Sequence, residues 1–196
     1  MDAFTVHTGT AVPLRRANID TDQIIPSDFL KRISRTGFED GLFAGWRGPE
    51  FTLDQPQYAG ATILLAGPDF GIGSSREHAV WALQDAGFRV VVSARFGDIF
   101  RGNALKGGLL PVQLDDVVVQ ELMGLVEAEP GTDVVVDLEA RQLTAAGTSY
   151  PFPLEDAARR RLLLGQDDIS LTLEHEDAIR AFEQRRSSLL PRVETS

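Results

Sequence analysis

The chain has 196 residues, 43% hydrophobic and 24% charged, the balance of a globular protein long enough to bury a core without covalent staples. Lys and Arg number 19 against 29 Asp and Glu, so the formal charge is −10, a field that repels nucleic acid and anionic membrane yet allows a local cationic pocket. Cysteine is absent, which excludes disulfides, thiolate zinc sites, thiol catalysis and any iron–sulfur cluster ligated by this chain alone.

Phe4 to Leu14 alternates loosely and reads as a strand. Asn18-Ile19-Asp20-Thr21-Asp22-Gln23-Ile24-Ile25-Pro26 reads as a loop, because side-chain oxygens at this density compete for backbone hydrogen bonds. A basic stretch follows at Lys31-Arg32-Ile33-Ser34-Arg35, then Gly37 to Pro56, whose Gly and Pro content predicts a long surface loop with one helical turn. Ala61 to Ala66 is a continuous apolar run, as a buried strand requires. After the glycine-rich turn Gly67 to Gly73, Ser74 to Leu83 has helical spacing, with Ser74 and Glu77 spaced as a capping box and Gly87 as its stop. Val90 to Val92 is the next strand, which makes a strand–helix–strand crossover.

Leu109 to Leu114 is strand-like, and Asp115 to Glu127 is a helix stopped by Pro130-Gly131. Val134 to Leu138 and Arg141 to Ala145 form a hairpin. Helices are expected at Leu154 to Leu164 and Glu174 to Arg186, the latter amphipathic through Ala178, Ile179 and Phe182. No linker interrupts residues 1–186, which are read as one domain; residues 187–196 are read as a disordered polar tail. No apolar run approaches the roughly 18 residues of a membrane span, and Met1 to Thr5 lacks the regions of a signal peptide, so a cytoplasmic protein is expected.

Gly71-Ile72-Gly73-Ser74-Ser75-Arg76-Glu77-His78 carries the chemistry. Glycines let backbone approach a ligand, the free amides of a helix N-terminus attract anions, and Arg76 can grip a carboxylate or phosphate with two parallel bonds. A plain helix cap with a surface arginine explains the same residues equally well. A dinucleotide fingerprint fails because Arg76 stands where a third glycine belongs, and no Lys-Ser/Thr pair completes a P-loop. Asp20, Thr21 and Asp22 either chelate a cation or pin a loop. Arg95, Arg101 and Lys106 either extend a cationic patch or neutralise acids. His7, His78 and His175 are too scattered for a metal site, and no metal ligand is assigned.

Taken in order, Asn18 to Pro26, Phe29-Leu30-Lys31, Arg35-Thr36-Gly37-Phe38, Gly71 to Ala79 and Phe96 to Asn103 resemble the small subunit of 3-isopropylmalate dehydratase, in the aconitase superfamily. The similarity runs from about Thr8 to about Phe182. It implies an α/β fold, the three-layer β/β/α swivelling domain that closes over an aconitase-type site. The implied activity is a hydro-lyase of leucine biosynthesis that interconverts 2-isopropylmalate and 3-isopropylmalate through 2-isopropylmaleate. The implied partner is a large subunit holding a [4Fe–4S] cluster; this chain would bind none, and the substrate would be a small dicarboxylate. Carried over by motif, Ser74 is the base, and Ser75 and Arg76 bind a substrate carboxylate. Phe29, Leu30, Lys31, Arg32 and Ile33 form the substrate-specificity loop, and Asp20, Thr21 and Asp22 the supporting loop. Lys31 and Arg32 are cationic where an isopropyl group needs an apolar wall, so either they point away or that wall forms from Phe29, Leu30, Ile33 or the partner. A homoaconitase or methylmalate-type small subunit, or a non-catalytic small-anion-binding module, are the other readings.

Overall fold

The computed structural model describes residues 1–32, 36–74 and 76–186. The predicted tail, Ser75 and Ile33 lie outside the described residues. Strand β1 (Val6–Leu14) is the pivot of a seven-stranded mixed sheet. On one side it pairs in parallel with β3 (Ile63–Ala66), which continues in parallel to β5 (Val90–Ser93) and β6 (Leu110–Gln113). On its other side it pairs antiparallel with β7 (Asp133–Asp137), which continues to β8 (Gln142–Ala145) and β9 (Thr148–Pro151). Every residue of β3 and β5 is buried, so both their faces are covered, which explains their unbroken apolar runs. Along β7 and β8, Val134, Val136, Leu143 and Ala145 are buried and their neighbours are not, the alternation of a sheet with one covered face. Pro111 lies on β6, the edge strand, where a missing N–H is tolerated.

Helix α4 (Asp116–Ala128) buries Val119, Leu122, Met123 and Val126 and packs on β1, β3 and β5. Helix α2 (Glu77–Asp85) packs against α3 (Asp98–Gly107), which rests on β6. A second sheet pairs β2 (Ile19–Asp20) in parallel with β4 (Phe70–Ile72). Helices α5 (Asp156–Leu164), α6 (Asp168–Leu173) and α7 (Glu176–Arg185) end the described chain, and neither α6 nor α7 buries a residue. This is the expected α/β class. Among the described residues, no helix is long and apolar enough to cross a membrane.

Three sequence expectations need correction. Asn18 to Pro26 is not plain loop: it holds β2 and a helical turn, α1 (Thr21–Ile24). Asp20 Oδ1 accepts from Gln23 N at 2.7 Å and Gln23 Oε1 accepts from Asp20 N at 2.9 Å, so the competing side chains close a capping box. Gly37 to Pro56 is not surface loop either. Phe38, Leu42, Phe43 and Phe51 are buried, and Trp46 stacks on Phe43 with centroids 5.3 Å apart. Short 3-10 turns at Glu39–Gly41 and Thr52–Asp54 deliver those residues at irregular spacing, which periodicity does not register. Finally, α2 begins at Glu77 with Arg76 as N-cap and no side-chain cap, so Ser74 is outside the helix. Its far end is as expected: Gly87, at φ +95°, donates to Gln84 O and Phe88 N donates to Leu83 O, a Schellman closure.

Candidate active site

The small β2–β4 sheet brings together two motifs about fifty residues apart in sequence. Asn18, in the left-handed region at φ +55°, donates to Pro68 O at 2.9 Å and turns the chain into β2. Ile19 then lies opposite Phe70, and Asp20 opposite Ile72. This register sets the α1 turn beside the segment after Ile72. Thr21, itself buried, donates from Oγ1 to the carbonyl of Ser74 at 3.1 Å. Asp22 Oδ1 lies 2.7 Å from Arg76 Nη1. The Arg76 side chain is only 17% exposed, whereas that of Asp22 is 53% exposed. Nη1 is buried yet has no aligned hydrogen-bond acceptor among the described residues, so the contact with Asp22 is an ion pair of poor directionality. The three residues of the expected supporting loop thus do three jobs: Asp20 caps, Thr21 holds the Ser74 backbone, and Asp22 neutralises Arg76.

Ser74 is exposed, and its hydroxyl makes no hydrogen bond among the described residues. It precedes the N-cap of α2 by two residues, so the amide-rich end of that helix still faces its neighbourhood. The turn carrying it is wedged against α3. Phe70 N donates to Arg95 O at 3.0 Å, and Gly97 N donates to Phe70 O at 2.9 Å. A Cβ on Gly97 would stand 2.3 Å from Gly71 O, and one on Gly71 would stand 2.3 Å from the ring of Phe100. Gly71 also sits at φ +74°, so only glycine fits this approach.

Phe29, Leu30 and Lys31 belong to a 3-10 turn at Ser27–Lys31. Phe29 packs against the core and Leu30 is half-buried. Lys31 is solvated, 3.7 Å from Asp28. Arg32 turns back on itself: both terminal nitrogens donate to Asp40 at 2.7 Å, one also donates to Gly37 O, and the guanidinium covers the Phe29 ring at 4.8 Å. That pairing holds the Asp40 carboxyl below its usual range. Arg32 is thus held by a residue that sequence reading did not single out, Asp40, and Lys31 lies near Asp28. Arg95 and Arg101 neutralise acids instead of forming a patch: Arg95 pairs with Asp69, and Arg101 lies 3.8 Å from Glu155.

Residues 1–117 match the family model described as the aconitase C-terminal domain, and the chain is an aconitase-type domain of that class. Residues 120–156 match a model described as LeuD_N, and residues 168–193 match the model for the C-terminal domain of the 3-isopropylmalate dehydratase small subunit. The chain is 59% identical to the 3-isopropylmalate dehydratase small subunit of Salinispora tropica, over 98% of this chain and 100% of that one. It is 61% identical to the protein of the same description from Acidothermus cellulolyticus, over 100% of both. It belongs to the 3-isopropylmalate dehydratase small-subunit family. A solved structure described as 3-isopropylmalate dehydratase from Methanocaldococcus jannaschii shares the fold at 24% identity and TM-score 0.67, covering 91% of this chain and 99% of that chain.

Proposed function

We propose that this chain supplies the base and the carboxylate grip of a two-subunit hydro-lyase that interconverts 2-isopropylmalate and 3-isopropylmalate through 2-isopropylmaleate. The observation that carries this reading is the Arg76 guanidinium, paired through Nη1 with Asp22 and still 17% exposed, two residues from the exposed Ser74. A substrate carboxylate satisfies that guanidinium, with Ser75 as its second donor. Ser74 Oγ, in its alkoxide form, then takes the proton from the carbon next to that carboxylate. The C–H electron pair becomes the double bond as hydroxide leaves the neighbouring carbon. Water returns with the positions of H and OH exchanged.

A free serine is a poor base at neutral pH. Arg76 and the N-terminus of α2 both favour negative charge at Ser74, and Arg76 also stabilises charge that develops on the substrate carboxylate. Thr21 holds the Ser74 backbone in place for this transfer. The chain has no cysteine, so its residues do not fit a [4Fe–4S] cluster, and we assign that cluster to the large subunit. Bound there, it supplies Lewis-acid chemistry at the substrate hydroxyl. Pairing with Asp40 neutralises Arg32, the cation of the specificity loop that lies over Phe29, which favours an isopropyl group over a third carboxylate.

The test is reconstitution with a cysteine-bearing large subunit and assay of the unsaturated intermediate from isopropylmalate. Ser74→Ala is expected to lower kcat by about 10²–10⁴-fold while the two subunits still copurify. Near-normal turnover of that variant rejects Ser74 as the base.

A further inference from the structure

Arg32 is gripped as an arginine grips a carboxylate ligand, but the carboxylate is this chain's own. Its two terminal nitrogens each donate to one oxygen of Asp40 at 2.7 Å, the parallel pair of bonds that guanidinium groups give a bound carboxylate. Nη1 also donates to Gly37 O. The guanidinium lies 4.8 Å from the centre of the Phe29 ring and 5.9 Å from that of the fully buried Phe38. The pair itself is open to solvent: the Arg32 side chain is 38% exposed and that of Asp40 59%, so a ligand reaches both without opening the core. Phe38 meets His78 edge-on with ring centres 5.3 Å apart, and His78 is two residues from Arg76. The turn Glu39–Gly41 packs against α2. One ring therefore stands between the Arg32 guanidinium and the helix whose N-cap is Arg76.

We propose that Asp40 is a specificity-determining residue of this site, a built-in carboxylate that fills the Arg32 fork and so denies it to a third carboxylate of the substrate. The inference rests on the hydro-lyase reading and the loop assignment above. Asp40 is a positioning residue: it acts through Arg32 and does not touch substrate. Isopropylmalate and isocitrate share a hydroxylated dicarboxylate core and differ in one substituent, isopropyl against carboxymethyl. A carboxymethyl group entering this loop must displace a carboxylate that is tethered beside the fork, at a high effective concentration. An isopropyl group displaces nothing. Lys31 offers no substitute, because it stands in solvent, 82% exposed and 3.7 Å from Asp28. Without the charge of Asp40 the fork is free, and the same loop becomes a seat for a carboxylate.

Isocitrate is the probe, used as an inhibitor of isopropylmalate turnover by the reconstituted enzyme. Asp40→Asn is expected to lower its inhibition constant about 10-fold or more, and to raise KM for isopropylmalate several-fold with kcat nearly kept. Asp40→Glu can still fill the fork and is expected to restore wild-type values. Arg32→Gln added to Asp40→Asn is expected to cancel the gain. Asp28→Asn removes the same charge from the same loop but frees only Lys31, and is expected to leave isocitrate inhibition unchanged. Because the Arg32–Asp40 pair is exposed, its loss is expected to leave the circular dichroism spectrum and copurification with the large subunit intact; if Asp40→Asn does not fold, Asp40→Ser carries the same expectation. If the wild-type complex does not turn over isopropylmalate, the hydro-lyase reading fails and this inference falls with it. If it does, and the folded Asp40 variant binds isocitrate no better than wild type, the Asp40 inference alone is overturned. It is equally overturned if Asp28→Asn gives the same gain, or if the gain persists in the double variant.

Discussion

Arg76 already lies against one carboxylate, that of Asp22. Its planar fork can present one edge to Asp22 and another to an incoming carboxylate. A lysine would offer a single point charge to both. Arg76→Lys is therefore expected to raise KM about 10-fold or more, with a smaller effect on kcat, in steady-state kinetics of the reconstituted enzyme. An unchanged KM would count against Arg76 as the carboxylate grip. His7 gives a pH prediction at the same scale. Burial, and then the charge of Arg89, lower its pKa from the ordinary histidine value of about 6.5, while its Nε2 lies 2.7 Å from Thr62 Oγ1. With the folded pKa below the unfolded one, the unfolded chain binds the proton first. The stability contribution of neutral His7 is thus complete above about 6.5 and is lost as pH falls through the folded value. Urea titrations over that window are expected to slope less for His7→Gln than for wild type; equal slopes would remove His7 as the cause.

Among the elements, the contact between β4 and the start of α3 is the least forgiving. A Cβ at Gly97 meets backbone, the carbonyl of Gly71, which no rotamer change can relieve. Gly97→Ala is expected to cost about 2–3 kcal/mol in chemical denaturation and to displace the Ser74 turn. A loss under about 0.5 kcal/mol would show that the turn is pliant. Elements with a period or an apolar run were legible: β1, β3, β5, β6 and the β7–β8 hairpin, and helices α4, α5 and α7 fall where spacing places them, whereas α2 starts later than its expected Ser74 cap. Helix α3 was hidden because Gly97, Gly102, Gly107 and Gly108 punctuate it like a loop, and its N-cap side chain is missing altogether. Strand β9 and helix α6 are short and bury too little to leave a pattern. The site was legible residue by residue but not as an assembly. Strands of two and three residues carry no period, so nothing in the sequence pairs Thr21 with Ser74 or Asp22 with Arg76. The Asp20 and Gln23 spacing was the one available signal, a capping box that turns the supposed loop into a helical turn. Asp40 escaped notice because it lies eight residues from Arg32, in an irregular segment.

At the scale of the whole molecule, the sheet joins a parallel half to an antiparallel half through a single strand, β1. Its partners are residues 63–66 on one side and 133–137 on the other. A chain emerging from the ribosome can complete the parallel half once Gln113 is out, but the half of β1 that pairs with β7, Val6 to Thr10, then waits with that edge bare until β7 arrives. Fragments ending after Ala128 are therefore expected to keep helical and strand signal by circular dichroism yet associate in sedimentation, whereas the full chain does not associate through that edge. A monomeric, well-behaved fragment would show that the edge is harmless. The pivot strand thus sets a schedule for synthesis: the nascent protein must keep a sticky margin from its neighbours on the polysome until the hairpin is translated, a demand for chaperone protection that the finished molecule no longer displays.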